Sequence, residues 1–351
     1  MFPYWLLFGL PAFATLFETG DWRRRRNAVH IAFFLVIALI SLVIGLRYQV
    51  GADWFAYIGY LENAAVIGLD EIPINGDPGY ILVNWVTARV GGDIWLVNLV
   101  CAALFSWGLF AFCRLQPRPW LALAVAVPYL VIVVAMGYTR QGVAIGLSML
   151  GLVALARGST LKFVFWVVAA ATFHKTAVLL VPLAALSSER GRWWNIAWVA
   201  GAAAAAYVVL LADRVDSLLV EYVGGEYDSS GASIRTAMNV LPAIVLLLFR
   251  SRFPMEPRQK RIWFMLSAVA IATVPALILS PSSTAVDRLS LYLIPLQMLV
   301  LSRIPGVFGY SQRAQRLLAV AVLAYSGLAL FVWLNFAGHS EHWLPYQFYF
   351  L

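Results

Sequence analysis

Five basic side chains that border or interrupt long apolar runs are the residues best suited to chemistry in this sequence of 351 residues. They come from separate parts of the chain: Arg47, Arg140, Lys175, Arg235 and Arg288. One such cation alone would extend its charge to lipid headgroups. Five at a similar depth favour a shared cavity, and guanidinium groups match the oxygens of phosphates and carboxylates. We therefore predict a binding site for a phosphate or a carboxylate.

A second set of candidate residues lies in the segment 53–63. If this segment is helical, Asp53, Tyr57 and Tyr60 share one face through their i, i+4 and i+7 spacing. Trp54 adds another ring beside them. A carboxylate next to aromatic rings suits a sugar, because the rings stack on the sugar and the carboxylate accepts hydrogen bonds from its hydroxyls. The alternative is an interfacial helix that carries an aromatic belt.

His174 and Lys175 interrupt an otherwise apolar stretch at 161–187. A lone histidine in an apolar run is more often a hydrogen-bonded core residue than a catalyst. Because His174 lies at the tip of a predicted hairpin, next to a lysine and facing the other cations, a catalytic or phosphate-binding role is as good an interpretation as a structural one. The interruption therefore predicts a functional role for the tip.

Two further segments carry polar and aromatic residues. The loop 213–233 is acidic and aromatic, and a solvated loop is as good an interpretation of it as a functional one. Asp287 and Arg288 form a candidate local ion pair that would orient the guanidinium group. Tyr292 follows Arg288 at i+4, on the same face of a predicted helix.

Composition identifies the elements that must position these residues. Hydrophobic residues make up 62% of the chain and charged residues only 12%, with a mean hydropathy of +0.81. A soluble fold cannot hide so much apolar surface, and a disordered chain would be far more polar. The net charge of +8 is scattered between apolar runs, which argues against nucleic-acid binding. The composition predicts an all-α, polytopic integral membrane protein.

Apolar runs of about the length of a membrane span recur along the chain. They lie at 4–19, 28–46, 93–113, 120–136, 141–157, 194–212, 234–250, 262–280, 289–303 and 317–337. The basic block 23–26 should be cytoplasmic, and later basic clusters share that side only if 161–187 enters and leaves at one face. We predict about 10 full spans plus a re-entrant or short-helix hairpin at 161–187, in a single membrane domain over 1–351. The outer loops 47–92 and 213–233 would then form the site.

Several chemistries are excluded by missing motifs. The sequence has no glycine-rich phosphate loop, no nucleotide fingerprint, no zinc-ligand spacing and no nucleophile elbow. Without a nucleotide site, a transfer reaction needs a substrate that is already activated. Lipid pyrophosphates are the activated sugar donors available outside the cytoplasmic membrane.

Several blocks of the sequence resemble the EpsG family of Wzy-like polysaccharide polymerases. They are Arg47-Tyr-x-x-Gly-x-Asp-Trp-x-x-Tyr-x-x-Tyr60, Tyr138-Thr-Arg-Gln141, Phe173-His-Lys-Thr-Ala177, Asp287-Arg-Leu-Ser-Leu-Tyr292 and Trp343-Leu-Pro-Tyr346. The resemblance implies a membrane glycosyltransferase that joins undecaprenyl-pyrophosphate-linked oligosaccharide repeat units in exopolysaccharide biosynthesis. It also implies a GT-C-like architecture, a multi-pass location in the cell inner membrane, an active site facing the periplasm, and a chain-length regulator protein as a candidate partner.

The roles of individual residues are predicted from the chemistry. The cations predicted to bind the pyrophosphate are Arg140, Arg235 and Arg288, with Arg47 and Lys175 in support. Asp53 is the first candidate for the catalytic base and His174 the second. The side chains predicted to bind sugar are Trp54, Tyr57, Tyr60 and Tyr292. No metal and no other cofactor is expected, because fixed guanidinium groups can stabilise a leaving pyrophosphate by themselves.

Two other classes of function stay open. A ligase that attaches finished glycan to another carrier, or another lipid-dependent glycosyltransferase, would use the same arginine chemistry. A lipid-linked sugar transporter or flippase would need charges near the middle of the membrane and internal repeats. The sequence shows neither of these features.

Overall fold

The computed structural model describes residues 1–18, 27–72, 76–183, 201, 231–280 and 283–351, and their regular structure is almost entirely helical. The α-helices are α1 (Phe2–Leu16), α2 (Asn27–Gly45), α3 (Trp54–Val66), α4 (Pro78–Arg89), α5 (Ile94–Leu115), α6 (Pro119–Ala126), α7 (Thr139–Ala156), α8 (Thr160–Ala171), α9 (Ala232–Leu248), α10 (Pro257–Leu279), α11 (Ser283–Ser290), α12 (Ile294–Phe308) and α13 (Gln312–Phe336). A π-helix, Val127–Ala135, continues α6, and short 3-10 helices lie at Lys175–Leu180, Leu291–Leu293 and Ser340–Trp343. Two short strands, β1 (Arg47–Tyr48) and β2 (Gln347–Phe348), pair antiparallel.

Ten of the described helices are apolar enough for a membrane interior, in two length classes. Those that can cross a membrane by length and composition are Ile94–Leu115, Thr139–Ala156, Pro257–Leu279, Ser283–Phe308 and Gln312–Phe336. The shorter ones are Phe2–Leu16, His30–Gly45, Pro119–Ala135, Thr160–Ala171 and Ala232–Leu248. The chain is therefore an all-α integral membrane protein. The count of about 10 full spans stays a prediction. The predicted span 194–212 and most of the loop 213–233 lie outside the described residues.

α7 lies at the centre of the described helices and carries part of the candidate site at its first turn. Nearly all of its residues are buried, and it packs against α5 and α8. α5 and α7 come closest at two glycines, where a Cβ atom on Gly108 would lie 1.8 Å from the carbonyl oxygen of Gly146. Small residues allow such close approach between membrane helices. This contact packs the middle of α7 closely against α5.

The C-terminal segment closes the end of the protein at which α2 ends and α5 and α7 begin. The buried indole N–H of Trp343 donates to the carbonyl oxygen of Ile132, inside the π-helix, at 2.8 Å. β2 then pairs with β1, so that Arg47 lies opposite Phe348. The segment thereby anchors the chain immediately before α3.

The predicted break at His174 is present. α8 has 12 residues and is about 18 Å long, which is shorter than a full span. The backbone N–H of Gly79, at the start of α4, donates to the carbonyl oxygen of Thr172 at 2.8 Å. The 3-10 helix Lys175–Leu180 then packs back against α8. The rest of the predicted hairpin, from residue 184, lies outside the described residues.

Candidate functional site

Two aspartates at helix N-termini direct their carboxylates into the space between helices. Asp53 and Asp77 occupy the N-cap positions of α3 and α4, where an aspartate side chain usually accepts a backbone N–H. Neither side chain accepts such a capping bond, whereas the side chain of Asp93, the N-cap of α5, accepts the backbone N–H of Ile94. Oδ2 of Asp77 instead binds Nη1 of Arg140 at 2.6 Å. Both carboxylates are therefore turned toward other groups of the site.

Arg140 lies in the first turn of α7 and keeps part of its hydrogen-bonding capacity. Its guanidinium group lies over the ring of Tyr60, with Cζ 4.9 Å from the ring centroid. Its side chain is 26% exposed and forms a single contact with Asp77. Among the described residues, the buried Nε of Arg140 has no hydrogen-bond partner. Arg140 can therefore donate to a further anion.

Arg288 approaches the same region from α11. Its Cζ lies 5.5 Å from the centroid of the Tyr138 ring, just before α7. Its carbonyl oxygen accepts a hydrogen bond from Nε2 of Gln141 at 2.6 Å, which ties α11 to the first turn of α7. Within the described part of the chain, the guanidinium group of Arg288 forms no ion pair. Its charge is available to a substrate.

The expected local ion pair between Asp287 and Arg288 is wrong. Asp287 forms a two-point salt bridge with Arg235 of α9, with Nε to Oδ1 at 2.7 Å and Nη2 to Oδ2 at 2.8 Å. Consecutive residues of a helix point in different directions, so their side chains do not face each other. The salt bridge holds α9 against α11, and only about a tenth of either side chain is exposed.

Arg47 is fully buried, and protein groups surround its guanidinium group. It donates to the carbonyl oxygens of Ile44 and Val50, to Oδ1 of Asn98 at 3.1 Å and to Oγ1 of Thr139 at 2.7 Å. These bonds join the end of α2 to α5 and α7. A direct contact between Arg47 and a pyrophosphate stays a prediction, and the geometry shows a bracing contact beside Arg140.

The aromatic residues of α3 form a buried cluster. The phenol of Tyr57 donates to Oδ2 of Asp53 at 3.5 Å, and its ring packs against those of Tyr60 and Tyr80. Trp54 and Tyr57 are each 3% exposed, whereas Tyr60 is half-buried. The predicted shared face of Asp53, Tyr57 and Tyr60 is therefore present. Among these three aromatic residues of α3, Trp54 and Tyr57 are buried, and only the side chain of Tyr60 is partly exposed.

The hairpin tip brings a hydrogen-bonded group to the same place. Nδ1 of His174 lies 2.6 Å from Oγ1 of Thr176, and that hydroxyl donates to the phenol oxygen of Tyr292 at 3.2 Å. Tyr292 lies in the 3-10 turn that follows α11 and is 5% exposed. The tip is thus joined to the segment that carries Arg288.

Electrostatics shows that these groups share one environment. Burial raises the pKa of the Asp53 carboxyl above its usual range, and the charges of Arg288 and Arg140 only partly oppose this. In the link between α8 and the next 3-10 helix, burial lowers the pKa of His174 to about 3, assisted by Arg140, Arg288 and Lys175. Asp53 is therefore a stronger base than an ordinary aspartate, and His174 is neutral near neutral pH.

Two residues of this cluster were missed by the sequence analysis. Asp77 is followed by a proline at the first helical position, a sign of a helix start that could have drawn attention to it. Thr176 stands in the block Phe173-His-Lys-Thr-Ala177 that resembles the family, and this block was the signal that could have drawn attention to it. Among the described residues, no group of three or more His, Cys, Asp and Glu side chains is placed to hold a metal ion.

The fold and the cluster define a class: an all-α integral membrane protein with arginines, carboxylates and aromatic rings gathered at one end of its helices. The model of the EpsG family matches residues 30–348, nearly the whole chain, and the chain belongs to the EpsG family. No curated protein and no solved structure matches it. At a general level, membership places the chain among Wzy-like polysaccharide polymerases. It is a glycosyltransferase-type polymerase that acts in the membrane on lipid-linked oligosaccharide.

Proposed function

We propose that this protein joins undecaprenyl-pyrophosphate-linked oligosaccharide repeat units at the periplasmic face of the inner membrane. A hydroxyl group of one lipid-linked unit attacks the anomeric carbon of the growing glycan. The bond between that carbon and the pyrophosphate oxygen breaks, and lipid pyrophosphate leaves with the bonding electrons. The proton of the hydroxyl passes to Asp53. The main task of the site in this reaction is to stabilise the negative charge that develops on the leaving pyrophosphate.

The observation that carries this proposal is the convergence of Arg140 and Arg288. They come from α7 and α11, and both charges act on Asp53 and on His174. Arg140 retains a buried donor, and Arg288 forms no ion pair within the described residues. Two guanidinium groups held by protein contacts stabilise a pyrophosphate without moving and without a metal. Lys175 adds a third positive charge beside His174.

The other two arginines receive positioning roles in this proposal. Arg235 is engaged at two points by Asp287, which fixes α11 and therefore the backbone of Arg288. Arg47 donates hydrogen bonds to groups at the end of α2, on α5 and at the start of α7. These bonds fix the turn that carries Arg140. Their effect on the reaction is transmitted through Arg288 and Arg140.

The periplasmic orientation is supported by the distribution of basic residues. Arg118, Arg252 and Arg303 lie near the ends of helices opposite the candidate site, where the positive-inside rule places the cytoplasm. The candidate site then faces the periplasm, the side on which we propose that lipid-linked repeat units are joined. A chain-length regulator protein is the partner that we propose on this side.

The test is reconstitution of the purified protein in liposomes with a lipid-linked repeat unit. The expected product is a ladder of multiples of that unit. Arg140→Ala and Arg288→Ala should each reduce ladder formation by about 100-fold or more, because each removes a donor that stabilises the leaving group. Arg89→Ala is the matched control, since Arg89 is exposed, lies over Trp85 and donates to the carbonyl oxygen of Ile67.

Other products would overturn the proposal. A single addition to a different carrier indicates a ligase, and movement of the intact lipid-linked unit across the bilayer indicates a transporter. Ladder formation that survives both Arg140→Ala and Arg288→Ala at normal protein level would refute the assignment of these arginines.

A further inference from the structure

We propose that the end of the protein opposite the candidate site binds an anionic phospholipid, whose phosphate group is held by Arg250, Arg252 and Arg303. The acyl chains of this lipid lie along the exposed apolar face of α9. This lipid site goes beyond the polymerase reaction and depends neither on that reaction nor on which face of the membrane is cytoplasmic.

Arg303 lies near the end of α12 and has no counter-charge. It donates to the carbonyl oxygen of Pro254 at 3.3 Å and makes a long contact of 3.5 Å with Oε1 of Gln116. Among the residues that the structure describes, its buried Nε has no hydrogen-bond partner and its guanidinium group forms no ion pair. Arg303 is half-buried, and a partly desolvated charge is costly without an opposite charge nearby. An anion bound beside it would supply that charge.

The segment 249–261, which joins α9 to α10 and includes the first turn of α10, is strongly basic. It contains five basic residues and one acidic residue, a net charge of +4. Arg252 lies over the rings of Phe249 and Phe308, with Cζ 5.7 and 5.8 Å from their centroids. Arg250 and Arg252 are exposed, and neither forms an ion pair within the described ranges. Both charges are therefore open to an anion from outside the protein.

An apolar stripe on α9 leads to these cations. From position 234 to position 248, the exposed residues of α9 recur at helical spacing along one face and are all apolar: Ile234, Ala237, Leu241, Ile244 and Leu248. The stripe ends beside Phe249, whose side chain is 38% exposed and carries Arg252 over its ring. A lipid-facing surface thus runs directly into a group of arginines.

This combination selects a phospholipid over a soluble anion. The arginines alone fit any phosphate, because guanidinium groups match phosphate oxygens. The adjoining stripe fits a molecule that carries apolar chains as well as the phosphate. Basic residues at the end of a membrane helix attract anionic headgroups, and each contributes about fivefold in affinity. The lipid headgroup therefore lies at the arginines and its chains lie against α9.

The first measurement compares two lipids. Purified full-length protein in neutral detergent is titrated with phosphatidylglycerol, and separately with phosphatidylcholine of the same acyl chains, and native mass spectrometry counts the bound lipids. Phosphatidylglycerol should bind at least about tenfold more tightly, because the arginines favour its net negative charge. Equal affinities for the two lipids overturn the proposal.

Substitutions then locate the site. Arg252→Ala and Arg250→Ala change exposed side chains and should each weaken phosphatidylglycerol binding by about fivefold, independently of any effect of Arg303→Gln on folding. Arg114→Ala is the matched control, since Arg114 is exposed in the last turn of α5 but lies over Phe110, which packs against Phe34 of α2. It should leave the affinity unchanged. A loss in Arg114→Ala as large as that in Arg252→Ala overturns the assignment.

Glycerol 3-phosphate separates a lipid site from a site for a soluble anion, because it carries the phosphate without acyl chains. It should bind at least about 100-fold more weakly than phosphatidylglycerol, since it buries no apolar surface against α9. Comparable binding of the two would overturn the lipid as the occupant. These titrations do not involve ladder formation, so a protein that binds the lipid as expected and forms no ladder refutes the proposed function alone.

Discussion

Two arginine–aspartate pairs lie in the cluster, and they are built differently. Arg235 and Asp287 share two hydrogen bonds, and both side chains are largely buried. Arg140 and Asp77 share a single contact at 2.6 Å, and the buried Nε of Arg140 lacks a partner among the described residues. A fully engaged guanidinium group holds helices together, whereas a partly engaged one can still bind an anion. The difference separates a structural pair from one that retains binding capacity.

The largest expected effect is on the partly engaged arginine. Arg140→Lys keeps the charge and loses the planar array of donors, so the rate of ladder formation should fall by about 100-fold. Arg235→Lys should change the rate of the folded fraction by about threefold or less, because its donors already serve Asp287. Initial rates with a lipid-linked repeat unit measure both. Comparable losses in the two variants would remove the distinction between the pairs.

Stability should respond in the opposite order. Asp287→Asn leaves Arg235 without its counter-charge in a buried place, which should cost about 3 kcal/mol of unfolding free energy. Asp77→Asn should cost about 1 kcal/mol, since one hydrogen bond is weakened and Arg140 keeps contact with the surroundings. Thermal unfolding of both variants in the same detergent provides the comparison. A larger loss for Asp77→Asn would contradict the structural assignment of the Arg235 pair.

A smaller effect should reveal how Asp77 positions Arg140. Asp77→Ala removes the only ion-pair partner that the described residues give Arg140, and the rate should fall by about tenfold as the guanidinium group loses its preferred orientation. Asp77→Asn still accepts a hydrogen bond and should keep more of the rate. Steady-state kinetics of the two variants test this order, and a faster alanine variant would exclude positioning.

The smallest effect concerns the pH dependence of the rate. Burial raises the pKa of Asp53, so the ionised base forms, and the rate rises, at a higher pH than for an ordinary aspartate. The phenol of Tyr57 lowers that pKa by donating to the carboxylate. Tyr57→Phe should therefore move the acid limb of the pH–rate profile to slightly higher pH. A shift to lower pH, or a wild-type acid limb unaffected by Asp53→Asn, would count against the base.

The sequence predicted much of the cluster because many of its residues are charged side chains at the ends of apolar runs, and both features can be recognised without a structure. Arg140 and Arg288 border apolar runs, and Asp53, Tyr57 and Tyr60 follow helical spacing, so their approximate depth and faces could be read from the chain. The ion-pair partners of these residues could not be predicted from the sequence. Asp287 pairs with Arg235 of another helix, and Asp77 with Arg140, because these contacts depend on how distant helices pack.

The amino-acid sequence alone determined that this chain lies in a membrane, that its helices are apolar, and that its outlying cations collect near one set of helix ends. These properties follow from the transfer of each side chain between water and lipid, which depends mainly on residue type. Only the tertiary structure decided which cations are engaged, which keep donors, and which hydroxyl lies beside His174. Hydrogen bonds depend on distances of a few tenths of an ångström and on direction, and packing between helices far apart in the chain sets both.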